Sequence, residues 1–458
     1  MAPPLPRPRP PRLFRRFRPR RPLTALAVLA LVTTTVAGPA RAAAPTSVRL
    51  DNPYLGARVY VNPEWSARAA TEPLGAAVAH QPTAVWLDRI TAIDGTGATM
   101  GLRAHLGAAL GQDADLVQLV LYNLPGRDCD RRVSQGELTV AELDRYRTEF
   151  VDPIAEILAD PAYAGLRIVV VVEPNSLPNL ITHTSPRPAA TAGCDEVRAA
   201  GSYLNGIGYA LARLGPIANV YPYLDLGEHG KLGRPADLAP IAPLYSAAAR
   251  AGGGTLANVH GFVVNTAGYA PLTEPFFQVG DVVNGEPVTG TRWVDGKAFV
   301  DELPYAQQLR PYLVGAGFPN GIGFLVDTSR NGWGGAGRPT GPGPRTTVEE
   351  YVETSRTDRR GWDGNWCNQT GAGIGARPVA APAAGIDAYV WAKPPGESDG
   401  ASDVLGANRP YEPMCDPWYR PSAAPYVRTG ALGNAPPSGQ WFPAHLRQLL
   451  ANAWPPLP

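Results

Sequence analysis

Short apolar runs recur along the chain, each followed by a polar loop and then by a stretch rich in alanine and leucine. The runs are TAVWLDRI, VQLVLYNL, RIVVVVEP, NVYPYLDL, VHGFVVNT, GIGFLVDT and IDAYVWAK. Strands that are apolar on both faces are typical of parallel sheets, because both faces of such sheets are covered. Stretches such as AELDRYRTEFVDPIAEILAD separate the runs and predict helices. The pattern therefore predicts an α/β fold in which seven parallel strands form a β/α barrel related to the TIM barrel.

Polar and aromatic residues follow the predicted strands, which is where parallel barrels carry their chemistry. These residues are Trp86, Asp88, Tyr122, Arg127, Asp128, Glu173, Asn175, Asp225, Glu228, Asn265, Asp327, Arg330, Lys393, Glu397 and Asp399. Asp128 and Asn175 follow neighbouring strands. Two carboxyl groups in such places would form the catalytic pair of a glycoside hydrolase. Here one member of the pair is an amide, which cannot deliver a proton.

Residues 1–42 differ in composition from the rest of the chain. They contain nine arginines and no lysine, aspartate or glutamate, and they include an apolar run at 23–36 and the small-x-small sequence Ala40-Arg41-Ala42. This order predicts a secretory signal peptide over residues 1–42 and a secreted, extracellular protein. The Arg15-Arg16 pair leaves the twin-arginine export route open beside the general one. Residues 43–458 predict a single catalytic domain, with no linker and no separate carbohydrate-binding module.

Removal of the signal peptide changes the charge of the chain. The whole sequence has 41 basic and 40 acidic residues, so that without those nine arginines 32 basic residues face 40 acidic ones, a net charge of about −8. An acidic chain argues against a nucleic-acid partner. After residue 42 no apolar run is long enough to cross a membrane. No organic cofactor is implied.

Four cysteines in an exported protein predict two disulfides. They are Cys129, Cys194, Cys367 and Cys415. Spacing alone leaves all three possible pairings open. A zinc site is not predicted, because no two cysteines are close in sequence and the six histidines are scattered. His229, beside Glu228, is predicted to be a polar surface residue.

Six stretches of the chain together resemble glycoside hydrolase family 6. They are LYNLPGRDCD, VVEPNSLPNLIT, YLDLGEHG, SRNGWGGAGRPT, RRGWDGNWCNQTGAGIG and VWAKPPGESDGASD, and the resemblance runs from about residue 52 to the C-terminus. It implies a secreted, monomeric, inverting cellulase on a distorted seven-stranded β/α barrel. The insert at residues 271–305 resembles that of exo-acting members, which implies release of cellobiose. The resemblance also implies the pairs Cys129–Cys194 and Cys367–Cys415.

The resemblance assigns roles to individual residues. Asp128, with Tyr122 beside it, would set the pKa and the orientation of the catalytic acid, which stands at the position of Asn175. Asp399 matches the proposed base. The matches to substrate-binding groups are Trp86 and Trp366 as stacking platforms, Ser134 on a loop near the scissile bond, and Asn265, Lys393 and Glu397 as polar partners of the sugar.

Several residues depart from the family pattern at the site. Asn175 stands in place of the acid, Glu228 in place of a histidine, and Gly268 in place of an asparagine. Lys231 and Arg234 stand where two tryptophans line the leaving-group side. Loss of general acid catalysis alone is typically worth about 10²–10⁴-fold in rate.

Three functions are compatible with these departures. The first is a β-1,4-glucan hydrolase in which Glu228 or another carboxylate takes over the part of the acid. The second is a hydrolase shifted to an acidic or decorated glycan, which Lys231 and Arg234 would favour. The third is a secreted glycan-binding pseudoenzyme. A polysaccharide or oligosaccharide is the expected partner in each case.

Overall fold

Eight strands form one sheet in the computed structural model, which describes residues 49–132, 134–403 and 411–458. The strands are β1 (Val85–Leu87), β2 (Leu116–Leu121), β3 (Arg167–Val172), β4 (Val220–Asp225), β5 (Gly261–Val264), β6 (Gly323–Asp327), β7 (Val379–Ala383) and β8 (Ile386–Val390). Their order in the sheet is β1-β2-β3-β4-β5-β6-β8-β7. The predicted α/β fold is confirmed. The predicted signal peptide lies outside the described residues.

Seven of the eight strands run parallel to one another and correspond to the seven apolar runs. The eighth, β7, pairs antiparallel with β8 at the edge of the sheet. Its sequence, VAAPA, contains a proline and a single β-branched residue, so the composition that marks the other strands is missing. For this reason the apolar pattern did not predict it.

The sheet curls into a barrel whose closure is incomplete. The backbone N–H of Ala84 donates to the carbonyl of Trp391 (3.1 Å), and the indole N–H of Trp86 donates to that of Ala392 (2.7 Å). No ladder joins β1 to β8 among the described residues. The barrel is therefore distorted at this seam.

The described part of the chain has ten longer helices. They are α1 (Pro63–Ala70), α2 (Leu102–Gly111), α3 (Asp152–Leu158), α4 (Ser176–Thr182), α5 (Ala192–Ala200), α6 (Ser202–Leu214), α7 (Ile241–Arg250), α8 (Glu302–Gly315), α9 (Val348–Ser355) and α10 (Pro443–Ala451). Seven of them, α2 to α8, pack on the outer face of the sheet. A π-helical stretch, Tyr146–Val151, leads into α3, and shorter helices lie at Thr91–Asp94, Leu143–Arg145, His229–Leu232 and Pro235–Leu238. Two-residue strands pair Gly95–Thr96 with Thr99–Met100 and Val282–Val283 with Glu286–Pro287.

The strands are buried on both faces. In β2, Leu119 and Leu121 pack with the helices, whereas Val120 belongs to a second cluster that contains Val171 of β3 and Tyr223 of β4. Alternate residues of a strand point to opposite faces, so this second cluster fills the barrel interior. The packed interior leaves the loops at the carboxyl ends of the strands as the place for a site.

The predicted insert forms a small layer of its own. Phe277, Val283, Val288 and Val294 pack against Tyr351 and Val352 of α9. Two ion pairs connect the insert to loops near the site, Lys297 with Asp363 (2.8 Å) and Arg234 with Asp295. The insert is thus a wall beside the carboxyl ends of the strands.

Candidate active site

The loops at the carboxyl ends of the strands turn through backbone conformations that side chains seldom adopt. The φ angle is 60° at Asp128, 51° at Glu173, 63° at Asn175, 60° at Asn265 and 58° at Ala267. Positive φ is uncommon for residues other than glycine, and such residues cluster at functional sites. The surrounding structure must therefore hold these loops in place.

Glu173, at the end of β3, holds the loop that follows β2. Its carboxylate accepts hydrogen bonds from the backbone N–H groups of Asn123 (2.9 Å) and Leu124 (3.1 Å) and from the Tyr146 hydroxyl (3.0 Å). The side chain is buried, and burial raises the pKa of the carboxyl group to about 7 despite these donors. This residue therefore positions the loop of Asp128.

Asp225, at the end of β4, holds the loop that follows β3 in the same manner. Its Oδ2 accepts hydrogen bonds from the backbone N–H groups of Asn175 (2.9 Å) and Gly227 (3.2 Å). Burial raises the pKa of Asp225 to about 6. The backbone of Asn175 is therefore fixed although the side chain of Asn175 makes no capping hydrogen bond to α4.

Asp327, at the end of β6, holds two further loops through hydrogen bonds to their backbone. Its Oδ2 accepts hydrogen bonds from the backbone N–H groups of Ala267 (2.9 Å) and Lys393 (3.0 Å). Asn265 lies beside it, and its side-chain amide donates to the carbonyl of Asp327 (2.8 Å) and accepts from the N–H of Ala270 (3.1 Å). Asn265 is 1% exposed. Its amide therefore serves the backbone, and its predicted contact with a sugar remains a prediction.

Asp128 is held by a tyrosine and two arginines. The Tyr122 hydroxyl donates to its Oδ1 (2.5 Å), and the Nε atoms of Arg131 and Arg127 lie 3.3 and 3.4 Å from its two carboxylate oxygens. The Ser134 hydroxyl donates to the carbonyl of Arg127 (2.6 Å), which places Ser134 near Asp128 and Arg127. Charge-assisted contacts of this kind fix the direction of a carboxylate.

Asn175 opens on the same space as Asp128. A small cavity at the start of α4 is lined by both residues and by Tyr122, Glu173 and Asn179. The two residues that the sequence places after neighbouring strands therefore meet. At this point of the cavity the chain offers an amide, which can hydrogen-bond to a glycosidic oxygen but has no proton to give at moderate pH.

Asp399 is bound more tightly than Asp128. Both of its oxygens accept from Arg330 Nη1 (2.8 Å each), and its Oδ2 also accepts from the Tyr269 hydroxyl (3.1 Å) and the backbone N–H of Asn368 (2.8 Å). Burial alone would raise the pKa of Asp399, but the Arg330 guanidinium, Lys393 and the Asn368 hydrogen bond outweigh it and lower that pKa. Asp399 is thus held as a carboxylate at any ordinary pH.

Arg330 and Tyr269 hold Asp399 in this arrangement, and no role was predicted for either residue from the sequence motifs. Arg330 is fully buried, its guanidinium lies 4.2 Å from the centre of the Tyr269 ring, and it also donates to the carbonyl of Ala267. A buried carboxylate needs a cation. Arg330, three residues after the end of β6, was therefore the signal in the sequence for a partner of Asp399.

The predicted sugar-binding groups lie around the two carboxylates. Lys393 Nζ lies 5.2 Å from the centre of the Trp86 ring and 3.7 Å from Glu397 Oε2. Trp366 is covered on one side by the Arg131 guanidinium at 4.4 Å. Both indoles are partly exposed, so each can offer a ring face to the C–H surface of a sugar.

The two predicted disulfides are confirmed. Cys129–Cys194 joins the residue after Asp128 to α5, and Cys367–Cys415 joins the residue after Trp366 to a loop from the C-terminal part of the chain. Both bridges brace loops of the site, as the resemblance implied.

Glu228 lies in a charged and largely buried environment. Its Oε1 is 3.7 Å from Arg360 Nη1, whereas its Oε2 is buried and has no hydrogen-bond donor among the described residues. Burial raises the pKa of Glu228. A Cβ atom at Gly268 would lie 2.8 Å from this Oε2 and 2.0 Å from Asn265 Oδ1. The glutamate and the glycine therefore share one space, and their departures from the family pattern belong together.

The two cations of the leaving-group side are already engaged within the protein. Lys231 Nζ donates to Asn179 Oδ1 (2.5 Å), and Asn179 in turn donates to Asp130 Oδ1 (2.7 Å). Arg234 forms an exposed ion pair with Asp295 of the insert. Arg234 is thus paired with a carboxylate, whereas Lys231 is hydrogen-bonded to a neutral amide and keeps its charge.

The predicted surface position of His229 is wrong. The residue is 4% exposed, and its backbone N–H and ring Nδ1 both lie 2.7 Å from Glu302 Oε1. Burial would lower the pKa of His229, but the contact with Glu302 outweighs it and raises that pKa. Glu302 begins α8 at the end of the insert, a contact that is remote in sequence. Local polarity around His229 therefore could not reveal it.

In residues 49–132, 134–403 and 411–458, no group of three or more histidine, cysteine, aspartate or glutamate side chains is placed to hold a metal ion. The helices of this part of the chain include none that is long and apolar enough to cross a membrane.

The barrel, with carboxylates, cations and indole rings at its strand ends, defines a glycoside hydrolase. The sequence model of glycosyl hydrolases family 6 matches residues 52–453, and the chain belongs to this family. The catalytic domain of Cellulomonas fimi Cel6B has a similar structure, with a TM-score of 0.84 and 42% identity over 90% of this chain and 97% of that one. The catalytic domain of CcCel6A, complexed with p-nitrophenyl β-D-cellotrioside, aligns with a TM-score of 0.67 and 30% identity over 89% of this chain and 99% of its own.

Relatives of known activity agree with this assignment. Exoglucanase A of Cellulomonas fimi is 43% identical over 447 residues, which are 92% of this chain and 50% of that protein, so the chain spans about half the length of this relative. The 1,4-beta-D-glucan cellobiohydrolase C of Emericella nidulans is 33% identical over 427 residues, which are 90% of this chain and 80% of that protein.

Proposed function

We propose that this protein is a secreted, inverting hydrolase of β-1,4-glucans such as cellulose and cellooligosaccharides. The observation that carries the proposal is the convergence of Asp128 and Asp399, each held by arginine and tyrosine, with the Trp86 and Lys393 groups at one end of the barrel. The relatives named exoglucanase and cellobiohydrolase supply the substrate class. The insert, which walls the site, supports exo action with release of cellobiose.

The chemistry requires a base on one side of the anomeric carbon and an acid on the other. Asp399 is the base, and its lowered pKa fits action through water molecules that it orders and polarises. Inversion follows because water and not a carboxylate attacks the sugar. Trp86 and Lys393 hold the sugar on the non-leaving side of the scissile bond.

The acid is the weak part of the site. Asn175 holds the glycosidic oxygen without protonating it, so departure of an unactivated sugar is slow. We assign the donation of the missing proton to Glu228, because burial raises the pKa of its carboxyl group and one of its oxygens has no hydrogen-bond donor among the described residues. Its ion contact with Arg360 makes it a less effective acid than an aspartic acid in the cavity of Asn175.

The test compares the native protein with Asn175→Asp and Glu228→Gln on a cellooligosaccharide, and the anomer of the product is read by NMR. We expect an α-anomeric product, a rise of about 10²-fold in Asn175→Asp, and loss of the slow native activity in Glu228→Gln. Unchanged activity in Glu228→Gln would remove Glu228 from the mechanism. Binding without cleavage by both the native protein and Asn175→Asp would show a glycan-binding pseudoenzyme instead.

A shift to acidic glycans is the weaker alternative. Arg234 is already paired with Asp295, and Lys231 is already hydrogen-bonded to Asn179, so a carboxylate on the sugar would have to compete with both contacts. Faster cleavage of an acidic β-glycan than of a cellooligosaccharide would reverse this preference.

A further inference from the structure

Three aromatic side chains lie exposed on one loop outside the site. Trp418 is 70% exposed, Tyr419 37% and Tyr426 49%. These are three of the five exposed tyrosines and tryptophans in the described part of the chain, the others being Tyr312 and Trp454. We call Trp418, Tyr419 and Tyr426 the aromatic platform. Large exposed rings grouped within nine residues mark an interaction surface more strongly than scattered ones.

The platform is held by ordered backbone and not by loose chain. The Asp416 carboxylate accepts from the N–H of Trp418 (2.8 Å), and the Asp416 carbonyl accepts from the N–H of Tyr419 (3.1 Å) and the hydroxyl of Thr429 (2.7 Å). The Arg428 guanidinium lies over the Trp418 ring at 4.3 Å. Since this indole is nevertheless 70% exposed, the rest of its surface is open to a ligand. A ring fixed in this way loses little conformational entropy when it binds.

The platform is connected to the site by a disulfide and by backbone hydrogen bonds. Cys415, three residues before Trp418, is bonded to Cys367, the neighbour of Trp366, so the Cα atoms of the two tryptophans lie within about 20 Å of each other. The backbone N–H of Leu432 donates to the carbonyl of Asn368 (2.9 Å), whose own N–H donates to Asp399 (2.8 Å). One loop layer therefore separates the platform from the carboxylate of the mechanism.

We propose that the aromatic platform binds a β-linked glucan chain outside the active site and holds the polysaccharide close to the loop of Trp366 and Asp399. Indole and phenol rings pack against the C–H faces of neutral sugars, and the arginines at 420 and 428 can donate to the hydroxyl groups. The glucan is chosen over a protein partner because the platform is joined to the loop that carries Trp366, itself assigned to sugar stacking. The identity of this ligand rests on the proposed function.

Binding to insoluble cellulose tests the platform separately from catalysis. The variants are Trp418→Ala/Tyr426→Ala and, as a matched control, Trp454→Ala. Trp454 is also an exposed tryptophan (43%) with an arginine over its ring, Arg338 at 4.2 Å. We expect the double variant to bind cellulose on the order of tenfold more weakly and Trp454→Ala to bind like the native protein. Turnover of a short soluble aryl cellobioside stays native in both.

The outcomes separate the two claims. Equal cellulose binding by Trp418→Ala/Tyr426→Ala and Trp454→Ala overturns the platform and leaves the hydrolase intact. Native protein that neither binds nor cleaves β-glucans overturns the proposed function and the platform together. Loss of soluble turnover in the double variant would mean that the loop supports Asp399. In that case the single variant Trp418→Tyr, which keeps a ring, decides. Native cellulose binding by this variant would support the platform, and weakened binding would overturn it. Self-association that disappears in the double variant would assign the surface to a second copy of the chain.

Discussion

The two sides of the site differ in how their polar groups are satisfied. On the paired side, Asp128 and Asp399 each meet an arginine and a tyrosine at distances between 2.5 and 3.4 Å. On the altered side, which comprises Asn175, Glu228, Gly268, Lys231 and Arg234, the amide of Asn175 does not cap its helix, and Glu228 meets Arg360 only at 3.7 Å. An oxygen without a hydrogen-bond donor is common to both sides among the described residues, since Asp128 Oδ2 shares this feature with Glu228 Oε2. Under the proposed function, this difference means that the groups assigned to sugar binding and water activation are kept, whereas the group assigned to protonation of the leaving sugar is changed.

The largest effect is expected where the paired side is broken. Asp399→Asn leaves the size of the side chain but removes the negative charge that Arg330 and the reacting sugar both meet. We expect kcat on any β-glucan to fall by about 10²–10⁴-fold. Asp295→Asn, which removes an exposed carboxylate in the insert, is the control and retains native kcat. Native kcat in Asp399→Asn would exclude Asp399 as the base.

The ion pairs of the two sides should differ in their weight for stability. Arg330→Met leaves Asp399 as an unpaired buried charge, and we expect the free energy of unfolding to fall by about 3–5 kcal/mol. Arg234→Met breaks the exposed pair with Asp295, which should cost less than about 1 kcal/mol. Denaturant unfolding of both variants measures the contrast. Equal losses would contradict the view that the paired side is the rigid one.

The carboxyl groups that hold the loops predict a pH dependence of stability. The pKa of Glu173 is raised to about 7 in the folded protein, so the folded state keeps a proton that the unfolded state loses near its ordinary pKa. Stability from Glu173 is therefore present in acid and is lost as the pH rises through about 7. Between pH 4.5 and 7.5 we expect the native protein to lose about 1–3 kcal/mol relative to Glu173→Gln. A pH profile that is identical in the two proteins would contradict the raised pKa.

The smallest effect is expected from the space shared by Gly268 and Glu228. Gly268→Ala places a Cβ against Glu228 and Asn265, and we expect a cost of about 1–3 kcal/mol. In Glu228→Ala part of that space is free, so Gly268→Ala should cost less there, with a coupling of about 0.5–1 kcal/mol. Additive losses in the double variant would mean that the two departures arose independently.

The apolar pattern predicted the seven parallel strands because each is buried on both faces, which shows in composition. It missed β7, whose Val379, Ala380 and Ala383 pair with β8 across a tight hairpin. Asp128, Asn175 and Asp399 could be placed because strand ends meet at one end of a barrel. The roles of Glu173, Asp225 and Asp327 could not, since their partners are backbone N–H groups that leave no trace in sequence.

Contacts across the chain account for the remaining differences. His229 was expected at the surface, but Glu302 and the insert cover it from more than seventy residues away in sequence. The hydrogen bond from Lys231 to Asn179 likewise joins the short helix His229–Leu232 to α4, and no local motif connects these two helices. The disulfide pairs followed from the family resemblance and not from spacing, which leaves all three pairings open.

The most direct test of the central claim varies the leaving group. An aryl cellobioside with an acidic phenol departs without a proton, whereas a cellooligosaccharide needs one. We predict that Asn175→Asp raises kcat/KM on the cellooligosaccharide by about 10²-fold and on the aryl cellobioside less than about threefold. An equal rise on both substrates, or none on either, would contradict a site that has kept its paired side and lost its proton donor at Asn175.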